Sequence, residues 1–536
     1  MLNTAQATRG MVVAPHALAT QTGVAILREG GNAIEAAIGM AATLSVVYPH
    51  MTGIGGDSFW LIGAPGDEVF SIDASGRAAV QLNADHYMEL GMAEIPTRGP
   101  LAANTVAGTL SGWQVALEHG RQRWGGTMTL DRLLQDAIAY AEQGCPVTQS
   151  QARSTAHKLS ELKPQSGFAG AYLGADGSVP AAGSVQCQPA LATTLRHLAM
   201  HGLDDFYRGD LARLVAAELA AAGSPLTLAD LEAHHAEVGT PLKMRCGSRL
   251  PEATLYAVGP PTQGLATLLI LGQYAYAEQD GSDEVDYVHQ LVEATKQAFR
   301  QRDKLIRDPD DMLGVDLDAL LTPEALGNLA KNIDMQQAGS WAGPGDTGDT
   351  TWFGVIDADG RSVSCIQSIY HEFGSGIVLP SSGICWQNRG SSFSLDASHP
   401  RYLRGGRKPF HTLCPSLARF DDGRTMVFGT MGGDGQPQTQ AALFTRYAAA
   451  GYSLQQAISA PRWLLGRTWG DSSNSLKLEG RFGGAVAEAL RARGHIVEQV
   501  AEFDEMMGHA GAVVRRPDGV FEGAADPRSD GAAAGY

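Results

Sequence analysis

The sequence predicts a large α+β fold, helical through its first two-thirds and rich in sheet in its last third. Three observations carry that reading. Apolar residues recur at helical spacing in segment after segment up to about residue 305. Beyond residue 350 the pattern changes to short strand-like runs punctuated by glycine. With 44% hydrophobic and 18% charged residues over 536 positions, the chain can bury a large core. Length alone would suggest three or four domains, but large layered enzymes exceed that guide as single units.

Taken in order, residues 17–28 read as a helix, Gly30-Gly31 breaks it, and Asn32 caps the next one. The apolar run Ala33 to Tyr48 contains Glu35 and is too short to span a membrane, so it is expected to be a buried helix. After Pro49, MTGIGGDSFWLIG and EVFSIDASG predict paired strands. GIGGDSF follows a helix rather than lying between a strand and a helix, so it is read as a turn near a site and not as a dinucleotide loop. DRLLQDAIAYAEQG, DLARLVAAELAAAG and VHQLVEATKQAFRQRDKLI each carry an apolar stripe and predict an outer helical layer. Residues 338–348, AGSWAGPGDTG, lose all periodicity and read as an exposed, cuttable loop. TTWFGVIDADGRSVSCIQSIY then reads as strand, Asp-Gly turn and strand, followed by short strands near 376–387 and 425–430 and helices near 436–450 and 484–493.

Composition narrows the function. Forty basic against 57 acidic residues give a net charge of -17, with no basic run, which argues against nucleic acid or anionic membrane as partners. The six cysteines are scattered without a CxxC pair, and the first residues lack a basic region followed by an apolar stretch. Reduced thiols and a cytoplasmic location are expected. The fifteen histidines include no HExxH, and His234-His235 is a lone pair at a helix end, so neither a metal nor any other cofactor is expected.

The loop-to-strand junction at Asp349-Thr350 suggests a chemistry. A threonine hydroxyl needs a base, and its own α-amine, titrating near ~7.7–8.0, can serve once the chain is cut before it. The plainer alternative is an ordinary loop entering a β-hairpin, since Thr-Thr is good strand material.

Longer matches favour the first reading. DTTWFGVIDADGRSVS followed by FGSGIVLPSSGICWQN resembles the autoprocessing segment of the γ-glutamyltransferase family. PHALATQTGVAILREGGNAIEAAIGMAATLSVVYPHMTGIGGDSFWLI resembles its amino-terminal block, and VAGTLSGW, GPPTQGLATLLI, EATKQAFRQRDKLIRDPD and FGTMGGDGQPQ follow in the family's order. The resemblance implies the N-terminal-nucleophile hydrolase fold, a four-layer αββα sandwich built jointly by a heavy segment 1–349 and a light segment 350–536. It further implies cleavage between Asp349 and Thr350, Thr350 as nucleophile, Ser368 as the hydroxyl beside it, and Gly432 and Gly433 as backbone donors of an oxyanion hole.

The sequence departs from a glutamyl enzyme where the family grips the α-carboxylate and α-amine. Ser75 stands at the arginine position, Ser392 at the acidic position, and His411-Thr412 replaces a pair of serines. In their place come Arg389, Asn388, Tyr370, His371 and His411, with Arg77 a further candidate. An arginine with histidines and no facing carboxylate suits a small anion. These blocks look like the branch of the family that hydrolyses oxamate, which implies oxamate cleavage to oxalate and ammonia at the end of a purine-degradation route, with Arg389 first for the carboxylate and His371 and His411 assisting. A γ-glutamyl hydrolase or transpeptidase, a cephalosporin-type acylase, and an unprocessed binding protein are the alternatives left open, as is a homodimer of the two-chain unit.

Overall fold

The computed structural model describes residues 3–278, 283–341, 349–466 and 473–536. Two antiparallel seven-stranded sheets face each other. The strands that matter for the site are β1 (Gly10–Ala14), β2 (Asp57–Gly63), β3 (Phe70–Ala74), β4 (Asp349–Asp357), β5 (Ser362–Tyr370), β6 (Ser416–Phe420), β7 (Thr425–Gly429) and β8 (Gly511–Arg515). One sheet runs 532–535, β1, β4, β5, β2, β3, 237–239, and the other 5–7, 521–525, β8, β7, β6, 253–257, 242–245. Each therefore interleaves strands from before and after residue 350.

Alternation along the strands builds the layers. Trp352, Ile356, Phe59, Leu61 and Ile366 point between the sheets and meet Leu417, Val427 and Val513. Their neighbours Phe353, Val355 and Trp60 point the other way, under helices α1 (Ala17–Arg28) and α2 (Ala33–Val47). On the far face, α3 (Gly264–Ala275), α4 (Glu284–Leu305) and α5 (Gly435–Ala448) cover Ala418, Met426, Phe428 and Ala512. The result is the four-layer αββα sandwich that the resemblance implied.

All fifteen residues of α2 are buried, which explains a helix that is apolar on every side. Its one charge is spent at the cap: Glu35 accepts from the Asn32 backbone N–H at 2.8 Å and from that of Met128 at 2.8 Å. Among the described residues no helix is long and apolar enough to cross a membrane. The predicted hairpin is present, turning at Gly360 with φ +78°. Strands expected near 376–387 are not: that stretch makes a single bridge, Val378 to Cys385, because Gly376 and Gly383 adopt left-handed φ and turn the chain back too soon for a ladder. Strands 242–245 and 253–257, in the half read as helical, complete the second sheet.

Candidate active site

The site grows from the β4–β5 hairpin at the centre of its sheet. Asp349 pairs with Tyr370 and Thr351 with Gln367, so the register slips by a residue: Ser368 and Ile369 form a bulge in β5 that faces the single Thr350 of β4. The preceding loop predicted to be cut lies, from residue 342 to 348, outside the described residues. Thr351 is pinned by donating to the Gln367 carbonyl at 2.9 Å, while the Gln367 side chain is held by Trp113, Ser45 and Thr52. The flanking anchors leave Thr350 fixed and buried, its hydroxyl 3.4 Å from Ser368 Oγ.

Ser368 Oγ also accepts from the Tyr370 N–H at 2.8 Å, a contact made as Tyr370 takes the left-handed φ of +81°. That conformation is costly for a bulky residue and marks a site held in place by its surroundings. It turns the Tyr370 ring under the Arg389 guanidinium, 3.6 Å from the ring centroid, with His371 against the same ring at 4.3 Å. Asn388 joins the two segments: its Oδ1 accepts from the His371 N–H at 3.1 Å and its Nδ2 donates to the Thr97 carbonyl at 2.7 Å. Arg389 opens a short 3-10 turn and is 1% exposed, so its charge sits inside the protein rather than at the surface.

Opposite Ser368 on the neighbouring strand stands Asp57. Its Oδ1 accepts from the Gly76 and Gly108 N–H groups, at 3.0 and 3.1 Å, and from Gln387 Nε2 at 3.1 Å. Its Oδ2 has no hydrogen bond among the described residues and faces His411 Nε2 at 3.5 Å. Burial raises the Asp57 carboxyl to about 7, against the three donors and the nearby Arg389 charge that pull it down. Burial, with Arg389 and Lys408 adding like charge, drives His411 well below the usual histidine range, so its imidazole is neutral. The ring makes an edge contact to Phe59, and the backbone of residue 411 is held by a bridge to Thr262.

Gly432 and Gly433 follow the end of β7 with φ of +115° and +52°, conformations that favour glycine. Their carbonyls are engaged by Gly435 N–H at 2.7 Å and by Gln436 N–H and Gln263 Nε2 at 3.1 and 2.8 Å. The same Gln263 amide donates to the Thr412 carbonyl at 2.7 Å, so one buried side chain ties the glycine turn to the His411-Thr412 segment. Its Oε1 is gripped by Arg302, which is itself paired with Asp434 at 2.6 Å.

Contacts thus link Thr350 to Ser368, Ser368 to Tyr370, Tyr370 to Arg389 and His371, and His371 to Asn388, while Asp57 and Gln263 link His411, Thr412 and the glycine pair to them. Arg77 does not join: it pairs with Asp308, Asp310 and Glu237. Ser75, at the lost arginine position, donates to Asp73, which Lys408 also holds at 2.8 Å. Ser392 donates to the Phe410 carbonyl next to His411. The sequence reading expected no carboxylate facing Arg389; Asp57, paired with Ser368 across β5 and β2 and near enough for the Arg389 charge to act on it, corrects that. The signal was an acidic residue opening the otherwise apolar strand SFWLIG. Gln263, Arg302 and Asp434 were also missed.

One cluster among the described residues has metal-donor geometry, His289, Glu293 and His495, with donor atoms within 4.8 Å of one another. Its groups are used internally: the two rings hydrogen-bond at 2.8 Å and Lys296 holds Glu293 at 2.6 Å. His234 and His235 are not part of it.

Residues 19–536 match the family model described as Gamma-glutamyltranspeptidase, and the chain belongs to that family; it is an amidohydrolase of the N-terminal-nucleophile class. It is 57% identical over 529 residues, 99% of each chain, to the oxamate amidohydrolase proenzyme of Klebsiella pneumoniae. The glutathione hydrolase-like YwrD proenzyme of Bacillus subtilis is 40% identical over 98% of each chain. Among solved structures, cephalosporin acylase from Bacillus halodurans superposes with a TM-score of 0.90 at 32% identity, over 100% of this chain and 97% of that one.

Proposed function

We propose that the chain cuts itself between Asp349 and Thr350 and then hydrolyses oxamate to oxalate and ammonia, as a cytoplasmic step of purine degradation. The observation that carries the reading is the buried Thr350–Ser368 hydroxyl pair with Arg389 enclosed beside it. The similarity to an oxamate amidohydrolase proenzyme supports the substrate. Segments 1–349 and 350–536 remain one unit after the cut, because each sheet interleaves strands of both.

In this reading Thr350 Oγ1 attacks the amide carbon while the freed α-amine takes its proton. Ser368 keeps the hydroxyl oriented. The Gly432 and Gly433 N–H groups, which donate to no other group among the described residues, stabilise the oxyanion. Arg389 receives the substrate carboxylate, with Tyr370, His371 and Asn388 fixing its position and His411 and Thr412 closing the pocket. The amine returns the proton to departing ammonia, and water then releases oxalate from the Thr350 ester.

A second reading, a γ-glutamyl hydrolase, is favoured by one observation: Asp57, within reach of the Arg389 charge, offers a carboxylate for a substrate ammonium while Arg389 offers a cation for its carboxylate. Assaying ammonia release from oxamate beside anilide release from a γ-glutamyl anilide separates the two. Turnover of oxamate alone is expected; turnover of the anilide alone overturns the substrate assignment.

A further inference from the structure

Thr350, Ser368 and Asp57 lie in a row across three adjacent strands. Directly paired antiparallel residues project their side chains to the same face, and Ser368 pairs with Asp57 while its hydroxyl meets that of Thr350. Asp57 therefore stands one strand beyond Ser368, on the same face of the sheet. Its two oxygens are sharply unlike. Oδ1 is saturated by three N–H donors, the role of a carbonyl oxygen. Oδ2 is buried, makes no hydrogen bond among the described residues and faces His411 Nε2 at 3.5 Å. Thr412 Oγ1 is likewise buried without a hydrogen bond there.

We infer that Asp57 is a specificity-determining residue of the proposed reaction: it meets the substrate as a neutral carboxylic acid, Oδ2 donating to the carboxylate held by Arg389, so that substrate binding takes up a proton. The charges around it support this. His411 is neutral, and so is His234, lowered by burial to about 3, whose Nε2 lies behind the Gly108 turn that holds Asp57. Tyr207 is pushed up by burial and stays un-ionised. Lys408 is committed to Asp73 and Glu237, and Arg77 to acidic partners of its own. The Arg389 charge is near enough to favour ionised Asp57. An anion bound at that guanidinium adds a like charge near Asp57, and the buried carboxylate then accepts a proton. An ionised Asp57 repels an oxamate-like anion, whereas the acid form completes its hydrogen bonding. The residue thus stands in for the missing second cation while adding no charge of its own.

The inference rests on the proposed substrate, and the test separates the two. Oxamate kcat/KM is measured from pH 6 to 9 on the processed wild type, Asp57→Asn and Gln387→Leu. Asparagine is the isostere of the acid: its oxygen can accept the three N–H bonds while its NH2 donates from the Oδ2 position. The wild type is expected to lose kcat/KM about tenfold per pH unit above pH 7, through KM. Asp57→Asn is expected to stay active and lose that falling limb. Gln387→Leu, which removes one donor to Oδ1, is expected to move the limb up by about half a unit. A wild type with no falling limb, a limb retained in Asp57→Asn, a processed Asp57→Asn inactive at every pH, or a limb unmoved in Gln387→Leu overturns the inference. No wild-type ammonia release from oxamate at any pH overturns the substrate reading instead.

Discussion

Gln263→Ala should damage both the fold and the chemistry, and the structure gives the size of each effect. The side chain is fully buried and makes three hydrogen bonds, to the Thr412 carbonyl, the Gly433 carbonyl and Arg302. Two partners keep other contacts after truncation: Gly433 O retains Gln436 N–H, and Arg302 retains Asp434. Each of those losses costs about 0.5–1.5 kcal/mol, whereas the Thr412 carbonyl loses its side-chain donor and incurs about 1–3 kcal/mol. The sum is about 4 kcal/mol. Over 536 residues the unfolding entropy is about 1.1 kcal/mol per degree, so the thermal midpoint should fall by about 4 °C. Because the glycine turn is released from its tether, kcat should fall about 100-fold, the cost of one misplaced oxyanion donor. Scanning calorimetry and initial-rate ammonia assays on the processed protein measure both. A midpoint within a degree of wild type together with kcat within twofold would refute the tether.

Ser368→Ala removes the hydroxyl facing Thr350 and should lower kcat about 10- to 100-fold, while Ser368→Thr should retain most activity; equal activity of all three contradicts the orienting role. Arg389→Ala should raise the KM for oxamate about 10- to 150-fold, corresponding to a lost charge-assisted contact of about 1.5–3 kcal/mol, with Arg389→Lys only partly restoring it. Stability should decline as pH falls from 6.5 toward 4.5. His16, His50, His234, His411, His495 and His509 are held neutral by burial, two of them down to about 4 and two to about 3, so the unfolded chain binds more protons in that range. Asp57, Asp357 and Glu505, raised by burial to about 7, 6 and 7, act in the opposite sense, since they are protonated in the folded chain before the unfolded one, but the histidines outnumber them. Thermal midpoints across that range check the sign, with about 1.4 kcal/mol per pH unit for each histidine in excess.

What could be read from the sequence was mostly local. The capped helix after Asn32 and the hairpin around Gly360 each declare themselves within twenty residues, through capping chemistry and an Asp-Gly turn. Thr350, Ser368 and Arg389 entered as candidates because motif order placed them. Asp57 was not, because its importance comes from pairing with a residue more than 300 positions away, a register that periodicity does not encode. Gln263 is invisible for the same reason, reaching Gly433 across 170 positions. Strands 242–245 and 253–257 are short and paired to distant partners, so the helical neighbourhood masked them. The run at 376–387 had strand-like composition, but its glycines turn it back after a single bridge.

The central claim is that Thr350 becomes an amino terminus and then the nucleophile. Wild type and Thr350→Ala should be purified side by side, resolved on a denaturing gel, and the smaller wild-type fragment sequenced from its amino end. Two wild-type bands, the smaller beginning at Thr350, with a single uncut and inactive variant band, are the predicted result. An uncut wild type that still releases ammonia from oxamate, or a fragment beginning elsewhere, would contradict the account.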